Sequence, residues 1–239
     1  MIIDKNNSEK KILIDLIQPE NKIILEIGCG DGTIAKHISP LCQKYIGIDV
    51  NKNIIAKAKK NNKNKNLIFN QTSSKNIKFP NNSFDTVLMH LCFHEIAVQK
   101  QGLVLQEINR VLKKGGQLLI IDPTEPPDQV QQIFNVAYKN FQYFDHSIVV
   151  KHSIWSIKES IFNKLFKINK LSTYKVDWKF NDFKELIDFI ISCSKEIIWD
   201  KNNKQFLEKE LIKIAKPKNK TNAIIIYDSL TINNLINLK

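Results

Sequence analysis

The sequence predicts an α/β protein built on a doubly wound, mostly parallel sheet. Short β-branched segments alternate with amphipathic segments along the first half of the chain, and this alternation requires crossover connections between parallel strands. Residues 117–122 are apolar without alternation, as in a strand covered on both faces. Three of the seven glycines are concentrated in residues 28–32, where a tight turn or a ligand needs them.

Hydrophobic spacing places the elements in order. Pro19 ends a predicted helix over residues 8–18, a short helix ends near Ile38, Asn51 caps a lysine-rich helix, and the apolar face from Val104 to Leu112 forms another. The predicted strands between them cover residues 23–27, 45–49, 67–70, 84–90 and 117–122.

The regular alternation of predicted strands and helices ends at Pro123. The apolar positions there predict helices over about 130–141, 157–165, 183–198 and 203–215, with strands at 171–180 and 223–227. No internal repeat and no long linker is visible. We therefore expect one domain with a substantial insertion in its second half.

Composition excludes several classes of protein. The chain has 239 residues, 43% of them hydrophobic and 25% charged, which is typical of a globular protein and not of a disordered one. No apolar run approaches the roughly 18 residues of a membrane span, and the polar start lacks the apolar core of a signal peptide. The four cysteines form no C-x-x-C pair, so neither a metal site nor a disulfide framework is expected. These features predict a cytoplasmic protein.

The net charge of +12 is weak evidence for a nucleic-acid partner. Arg110 is the only arginine, and lysine lacks the bidentate fork with which arginine recognises phosphates and bases. Residues 52–78 hold eight lysines and no acid. We interpret this cluster as a solvated helix face, with RNA or an acidic carrier protein as the alternative partner.

The segment after the first strand carries the chemistry. Ligands of open α/β sheets bind beyond the carboxyl ends of the strands, where the strand order reverses. Glycines at positions 28 and 30 let the backbone approach a ligand closely, and the next predicted strand ends at Asp49. Asp49 stands about 20 residues after Gly28, a spacing typical of a carboxylate that accepts the ribose hydroxyls of a nucleotide.

Two classes of cofactor fit this pattern, a dinucleotide and S-adenosylmethionine. The dinucleotide fingerprint is G-x-G-x-x-G, whereas this loop reads G-x-G-x-G. The loop also follows an acid, Glu26, which suits the ammonium of a methionine moiety better than it suits a pyrophosphate.

Four segments in this order resemble those of class I S-adenosylmethionine-dependent methyltransferases of the broad small-molecule (type 11) group: ILEIGCGDGTIAKHI, IGIDV, FPNNSFDTVL and INRVLKKGGQLLIID. The resemblance implies a Rossmann-like methyltransferase fold, with a seven-stranded mostly parallel sheet, a helical lid insertion and an antiparallel last strand. It also implies a single domain over 1–239, divided into a cofactor-binding core at 20–122, a variable substrate and lid region at 123–220, and a final strand and tail at 221–239.

The resemblance assigns the methionine and ribose contacts residue by residue. Glu26 and the loop residues Gly28, Cys29 and Gly30 would surround the methionine moiety. Asp49 would hold the ribose.

The adenine contacts implied by the resemblance are less complete. Val50 would stack against the adenine, and the backbone carbonyl of His90 would contact the amino group of the cofactor. Many relatives carry an Asp-Ala pair beside the adenine amino group, but this chain has Ser73 and Ser74 there. The usual carboxylate is therefore missing.

Methyl transfer requires few catalytic groups from the protein. It is an in-line displacement by a substrate nucleophile, and alignment alone can supply an effective molarity of about 10⁵ M or more. A general base is needed only for a weakly acidic nucleophile. The candidates near the strand ends are His90, His94, Glu95 and Asp122, and His94 is our predicted base. In the alternative interpretation, His94 packs against or caps the following helix.

We expect an enzyme that methylates O, N or C of a small-molecule substrate with S-adenosylmethionine as its cofactor and without a metal. Nucleic acid is not the expected partner. The alternatives are methylation of RNA, a protein or a carrier-bound acyl group, and a non-catalytic cofactor-binding subunit. The oligomeric state is not predicted by any feature of the sequence.

Overall fold

The computed structural model describes residues 2–3, 8–141, 146–194, 197–215 and 223–239. Its strands are β1 (Ile2–Ile3), β2 (Ile23–Ile27), β3 (Lys44–Asp49), β4 (Leu67–Gln71), β5 (Phe84–His90), β6 (Leu112–Pro123), β7 (Phe166–Phe180) and β8 (Ile224–Asn237). Its helices are α1 (Ser8–Ile17), α2 (Thr33–Ile38), α3 (Lys52–Asn61), α4 (Val98–Val111), α5 (Gln129–Phe141), α6 (His146–Phe162), α7 (Phe183–Cys193) and α8 (Lys201–Ile214), and a 3-10 turn covers Ser39–Leu41.

The strands form a mixed sheet in the order β1-β7-β8-β6-β5-β2-β3-β4. Strand β2 runs parallel to β3 and β5, β3 runs parallel to β4, and β5 runs parallel to β6. Strand β1 is antiparallel to β7. This arrangement confirms the predicted α/β fold: the seven predicted strands are present, and the two-residue β1 adds to them.

The strand order reverses beside β2. From β2 the chain passes through α2 to β3 and through α3 to β4, and it then returns to the other side of β2 as β5. Ile27, the last residue of β2, pairs with Ile48 on one side and with Met89 on the other. The carboxyl ends of three parallel strands therefore meet at this point, which is where open α/β sheets bind ligands.

The central strands are apolar because both of their faces are covered. Leu25, Ile46, Val87 and Leu118, one from each of β2, β3, β5 and β6, are at most 2% exposed and belong to one hydrophobic cluster. Parallel strands connected by helices are buried in this way, and their sequences therefore lack the alternation of half-exposed strands.

The chain divides into two compact units. The larger unit consists of Lys10–Asp122, His152–Ser172 and Thr231–Lys239, and the smaller one of Met1–Glu9, Pro123–Lys151 and Thr173–Leu230. Each unit has its own hydrophobic cluster. Among the described residues, no helix is both long enough and apolar enough to cross a membrane.

Helix α3 confirms the predicted cap. The side-chain oxygen of Asn51 accepts hydrogen bonds from the backbone N–H of Asn53 and Ile54, at 2.9 and 3.3 Å. The eight lysines of residues 52–78 are all exposed. Exposure is expected of a solvated face and of a docking surface alike, so the interpretation of these lysines stays a prediction.

One predicted helix is shorter than expected. The apolar spacing of residues 183–198 predicts one continuous face, but α7 ends at Cys193. Beyond that end, Ile197 is still buried in the same hydrophobic cluster as Leu186 and Ile190, whereas Ile198 is 82% exposed. Helical spacing that runs past the true end of a helix cannot by itself locate that end.

The single arginine holds the segment between β4 and β5. Arg110 on α4 donates from Nε and Nη2 to Glu107, from Nη1 to the carbonyl of Phe79 and the side chain of Asn81, and from Nη2 to the carbonyl of Ile77. Glu107 also accepts the backbone N–H of Ile77 at 3.1 Å. A planar guanidinium makes all these bonds at once, which a lysine ammonium cannot do.

We expect Arg110→Ala to lower the free energy of unfolding by about 2 kcal/mol, because several carbonyl and carboxylate acceptors lose a charged donor. Arg110→Lys should recover less than half of that loss, since the ammonium lacks the guanidinium fork. Urea denaturation measures both changes, with the exposed Lys114→Ala as the control for loss of a positive charge on the surface. Full recovery by lysine would contradict the proposed geometry.

Candidate functional site

The turn between β2 and α2 is the centre of the candidate site. Gly28, Gly30 and Gly32 adopt positive φ angles of 72°, 53° and 80°. The N–H groups of Gly28 and Cys29 both donate to the carbonyl of Ile48, at 2.8 and 3.1 Å. The turn is therefore folded over the carboxyl end of β3.

The glycines of this turn are needed for two different reasons. A Cβ atom at Gly28 would lie 2.7 Å from Cβ and 2.8 Å from Sγ of Cys92, so that glycine is required by packing. A Cβ atom at Gly30 would have no atom within 4 Å. The backbone at Gly30 consequently faces open space, as a loop that receives a ligand should.

Asp49 is held by the same turn. Its Oδ2 accepts the N–H of Gly30 at 3.2 Å, and its Oδ1 accepts the N–H of Asn51 at 2.8 Å. A carboxylate offers about four lone-pair positions, so each oxygen keeps capacity for another donor. The structure thus orients Asp49 and leaves it able to accept hydroxyl groups.

Glu26 is a buried acid at the same end of the sheet. It is 2% exposed, and the hydroxyl of Tyr45 donates to its Oε2 at 3.0 Å. Burial raises the pKa of Glu26 to about 7, the Tyr45 bond and His90 act in the opposite direction, and Asp49 contributes a further rise. No described lysine or arginine pairs with this carboxyl group.

A cavity of about 290 Å³ opens at the carboxyl ends of β2, β3 and β5. Its lining residues are Ile27, Gly28, Ile48, Asp49, Val50, Thr72, Ser74, Met89, Leu91, Cys92, Glu95 and Ile96. Four predicted cofactor residues, Gly28, Asp49, Val50 and Ser74, are therefore brought together in one wall. Val50 is 68% exposed, so its side chain is accessible.

The remaining predicted cofactor residues do not line this cavity, but they are close in sequence to residues that do. Cys29 and Gly30 belong to the turn, and Glu26 precedes it on β2. His90 ends β5. Ser73 is half-buried, and its Oγ accepts the N–H of Lys75 at 3.3 Å.

The predicted base, His94, is 4% exposed and paired with Asp122 at the end of β6. Its Nδ1 lies 2.8 Å from Oδ1 of Asp122, and its backbone N–H donates to Oδ2 at 3.0 Å. Asp122 therefore fixes both the ring and the backbone of His94. His94 is not among the residues that line the described cavity, whereas its neighbour Glu95 is.

Glu95 is a lining residue that the sequence offered only as one of several candidate bases. Partial desolvation raises the pKa of its carboxyl group, His94 lowers it, and the nearby acids Asp122 and Asp49 raise it further. Glu95 is thus easier to protonate than an ordinary glutamate.

Several lining residues were missed from the sequence. Thr72, Leu91, Cys92 and Ile96 carry no motif, and Leu91 adopts a φ of 51°, which leucine disfavours. Outside the cavity lining, the sequence did carry a usable signal for the Tyr45–Glu26 hydrogen bond, since a tyrosine inside an apolar strand needs a partner for its hydroxyl. Within the described ranges, no group of three or more His, Cys, Asp or Glu residues could hold a metal ion.

Part of this chain is similar in sequence to known methyltransferases. Residues 25–120 match the family model described as "Methyltransferase domain". A putative methyltransferase, 235L, of Invertebrate iridescent virus 6 is 27% identical over 237 residues, covering 95% of this chain and 84% of the viral protein. The uncharacterized methyltransferase YcgJ of Bacillus subtilis is 32% identical over 114 residues, covering 46% of this chain and 44% of YcgJ. The match therefore spans less than half the length of that relative.

A solved structure is similar to this chain at the level of the fold. The crystal structure of a putative methyltransferase from Bacillus halodurans aligns with a TM-score of 0.68 over 96% of this chain and 98% of that one, at 19% sequence identity. The matched domain, the strand order and the glycine turn agree with one another. Residues 25–120 of this chain are thus similar to the methyltransferase domain, and the fold of the chain is that of the solved putative methyltransferase.

Proposed function

We propose that this protein is a methyltransferase that uses S-adenosylmethionine to methylate O, N or C of a small-molecule substrate. One observation carries the proposal: a buried acid, an open glycine turn and an oriented carboxylate converge at the strand-order reversal. These are Glu26, Gly30 and Asp49. Together they offer an anion for an ammonium group, a backbone that a ligand can approach, and an acceptor for hydroxyl groups.

The residues present fit the cofactor. Glu26 would hold the ammonium of its methionine moiety, since this carboxyl is buried and has a neutral hydroxyl, that of Tyr45, as its described hydrogen-bond partner. Gly28 and Gly30 would let the methionine chain pass close to the backbone. Asp49 would accept the ribose hydroxyls with the capacity that its two backbone bonds leave unused.

The adenine side of the site would be held more loosely. Val50 provides an exposed apolar surface for stacking, and Ser74 and Thr72 provide hydroxyls in the cavity wall. No carboxylate stands at the Ser73-Ser74 position. Hydroxyl partners form weaker bonds than a charged acceptor, so the adenine should contribute less to affinity than the ribose.

The bound cofactor would supply a methyl group already activated on a sulfonium centre. The protein then has to align the substrate nucleophile and, for a weakly acidic nucleophile, remove its proton. We assign the second task to His94. The contact between Nδ1 and Asp122 favours the tautomer protonated at Nδ1, in which Nε2 is the basic nitrogen.

The proposed substrate is a small molecule and not a nucleic acid. The exposed lysines of residues 52–78 are spread over a solvated surface, and the single arginine is occupied within the fold. We also propose a cytoplasmic location, because no disulfide joins the four cysteines. The division into a cofactor core at 20–122 and a substrate region at 123–220 stays a prediction.

The openness at Gly30 gives a direct test of cofactor approach. Gly30→Ala should lower the affinity for S-adenosylhomocysteine at least roughly tenfold, because its Cβ would occupy ligand space, while backbone strain costs only about 1–2 kcal/mol of stability. Gly28→Ala should destabilise the protein more, because its Cβ would meet Cys92.

Calorimetry and urea denaturation separate these two effects. Gly102→Ala, inside α4 and with no atom within 4 Å of the added Cβ, is the matched control and should be neutral or slightly stabilising. Unchanged affinity in Gly30→Ala would show that the ligand does not approach this turn.

The proposed activity is tested by adding a methyl-labelled cofactor and the protein to a metabolite extract and identifying the labelled product. The wild type should label a low-molecular-weight compound. Asp49→Ala should weaken cofactor binding by about 1–3 kcal/mol, because the ribose hydroxyls lose a charged acceptor, and should reduce labelling accordingly. Label found only in RNA or protein would instead support the macromolecular alternatives, and cofactor binding without any labelled product would support the non-catalytic one.

The role of His94 is tested once a labelled product is known. His94→Gln should lower turnover roughly 10²-fold and leave the affinity for S-adenosylhomocysteine unchanged, because only proton transfer is lost. The exposed His152→Gln is the control. An equal loss of turnover and of cofactor affinity would mean that His94 and Asp122 instead hold the loop after β5 in place.

A further inference from the structure

Tyr45 is the hydrogen-bond donor to the carboxyl group on which the proposed cofactor site depends. Its side chain is fully buried, and its hydroxyl lies 3.0 Å from Oε2 of Glu26. A buried carboxylate without a donor would be strongly destabilised relative to its neutral form. The hydroxyl of Tyr45 therefore affects both the orientation and the ionisation of Glu26.

The strand register explains how the two side chains meet. Glu26 on β2 pairs with Gly47 on β3, and Tyr45 precedes Gly47 by two residues, on the same face of the strand. Gly47 has no side chain, and a Cβ there would lie 2.7 Å from the ring of Phe69 and 2.9 Å from Sγ of Cys29. Because Gly47, the residue paired with Glu26, has no side chain, the ring of Tyr45 can extend diagonally across the two strands and reach the carboxyl group.

We propose that Tyr45 is a positioning residue for cofactor binding: its hydroxyl orients Glu26 and keeps it ionised for the ammonium group of the cofactor. This inference rests on the proposed function, which places that ammonium at Glu26. Tyr45 touches neither the cofactor nor the substrate and acts through Glu26 alone.

The charged groups around Glu26 set the pH range in which this matters. Burial raises its pKa to about 7; the Tyr45 hydrogen bond and the charge of His90 lower it, and Asp49 and Asp31 raise it. The ionised form binds the ammonium, so affinity falls as the pH drops through 7. Without the Tyr45 hydroxyl the pKa rises further, and the loss of affinity begins at higher pH.

The test compares Tyr45→Phe with the wild type by calorimetry between pH 6 and 9. For a rise of about one unit in the Glu26 pKa, the affinity for S-adenosylhomocysteine falls about tenfold at pH 6 and about twofold at pH 8, and the difference nearly vanishes at pH 9. Titration of the ligand's own amine affects both proteins equally and cancels in their ratio. Binding of 5′-methylthioadenosine, which has the nucleoside but no ammonium, should not change in this variant.

Matched variants separate this effect from a general loss of structure. Tyr174→Phe removes the same kind of bond elsewhere, from its hydroxyl to Glu9 at 2.7 Å, and should leave the pH profile unchanged. In a Glu26→Gln background, Tyr45→Phe should have no pH-dependent effect. In a His90→Asn background, Tyr45→Phe should raise the Glu26 pKa by the same amount as in the wild type, because the histidine acts on Glu26 independently.

The ionisation of Glu26 is also measured without any ligand, from the carboxyl ¹³C signal of labelled glutamate assigned with Glu26→Gln. Its midpoint should rise in Tyr45→Phe, and it should fall in wild-type protein carrying 3-fluorotyrosine, a stronger hydrogen-bond donor that requires no variant to fold. A wild type that binds neither nucleoside would refute the proposed function, while the midpoint still reports on Tyr45. An unshifted midpoint, or an equal loss of affinity for both nucleosides at every pH, would overturn the role of Tyr45.

Discussion

The candidate site depends on the way the turn after β2 is fastened to β3. Two successive N–H groups, those of Gly28 and Cys29, share the carbonyl of Ile48, and this pair of hydrogen bonds fixes the turn over the end of the neighbouring strand. Only positive φ angles allow the chain to bend there and then begin α2. The same bend carries the N–H of Gly30 to Asp49, so one backbone constraint places both the open loop and its carboxylate.

The acids of this region differ in their burial and in their hydrogen-bond partners. Asp49 is half-buried, and its two oxygens accept hydrogen bonds from two backbone amides. Glu26 is buried and bonded to a neutral hydroxyl, so its ionisation is nearly balanced at neutral pH. Asp122 is buried against His94, a partner that can itself carry charge. The fold thus presents one acid oriented by backbone amides and one buried acid whose charge a cationic ligand can stabilise.

The sequence predicts the features that local backbone geometry requires. It does not predict the side-chain pairs that form only because particular strands are neighbours in a particular register. The glycine turn and Asp49 were predictable, because positive φ angles and the ends of strands leave local signals. The pairing of Tyr45 with Glu26 and the pairing of Asp122 with His94 join residues 19 and 28 positions apart, and they depend on which strands are neighbours and in what register. The end of α7 was also missed, because the apolar spacing of the sequence continues after the helix has ended.

The whole chain has a net positive charge, whereas the candidate site is rich in acids, and we expect the local charge to decide what binds. The net charge is +12, yet the residues at the carboxyl ends of the strands include five acids: Glu26, Asp31, Asp49, Glu95 and Asp122. Exposed charges are screened beyond about 8 Å in physiological salt, so lysines spread over distant helix faces contribute little there. The acids act on one another at short range, and Asp49 raises the pKa of both Glu26 and Glu95. A positively charged ligand would relieve that repulsion, so the proposed sulfonium with its ammonium group would suit this site better than the pyrophosphate of a dinucleotide.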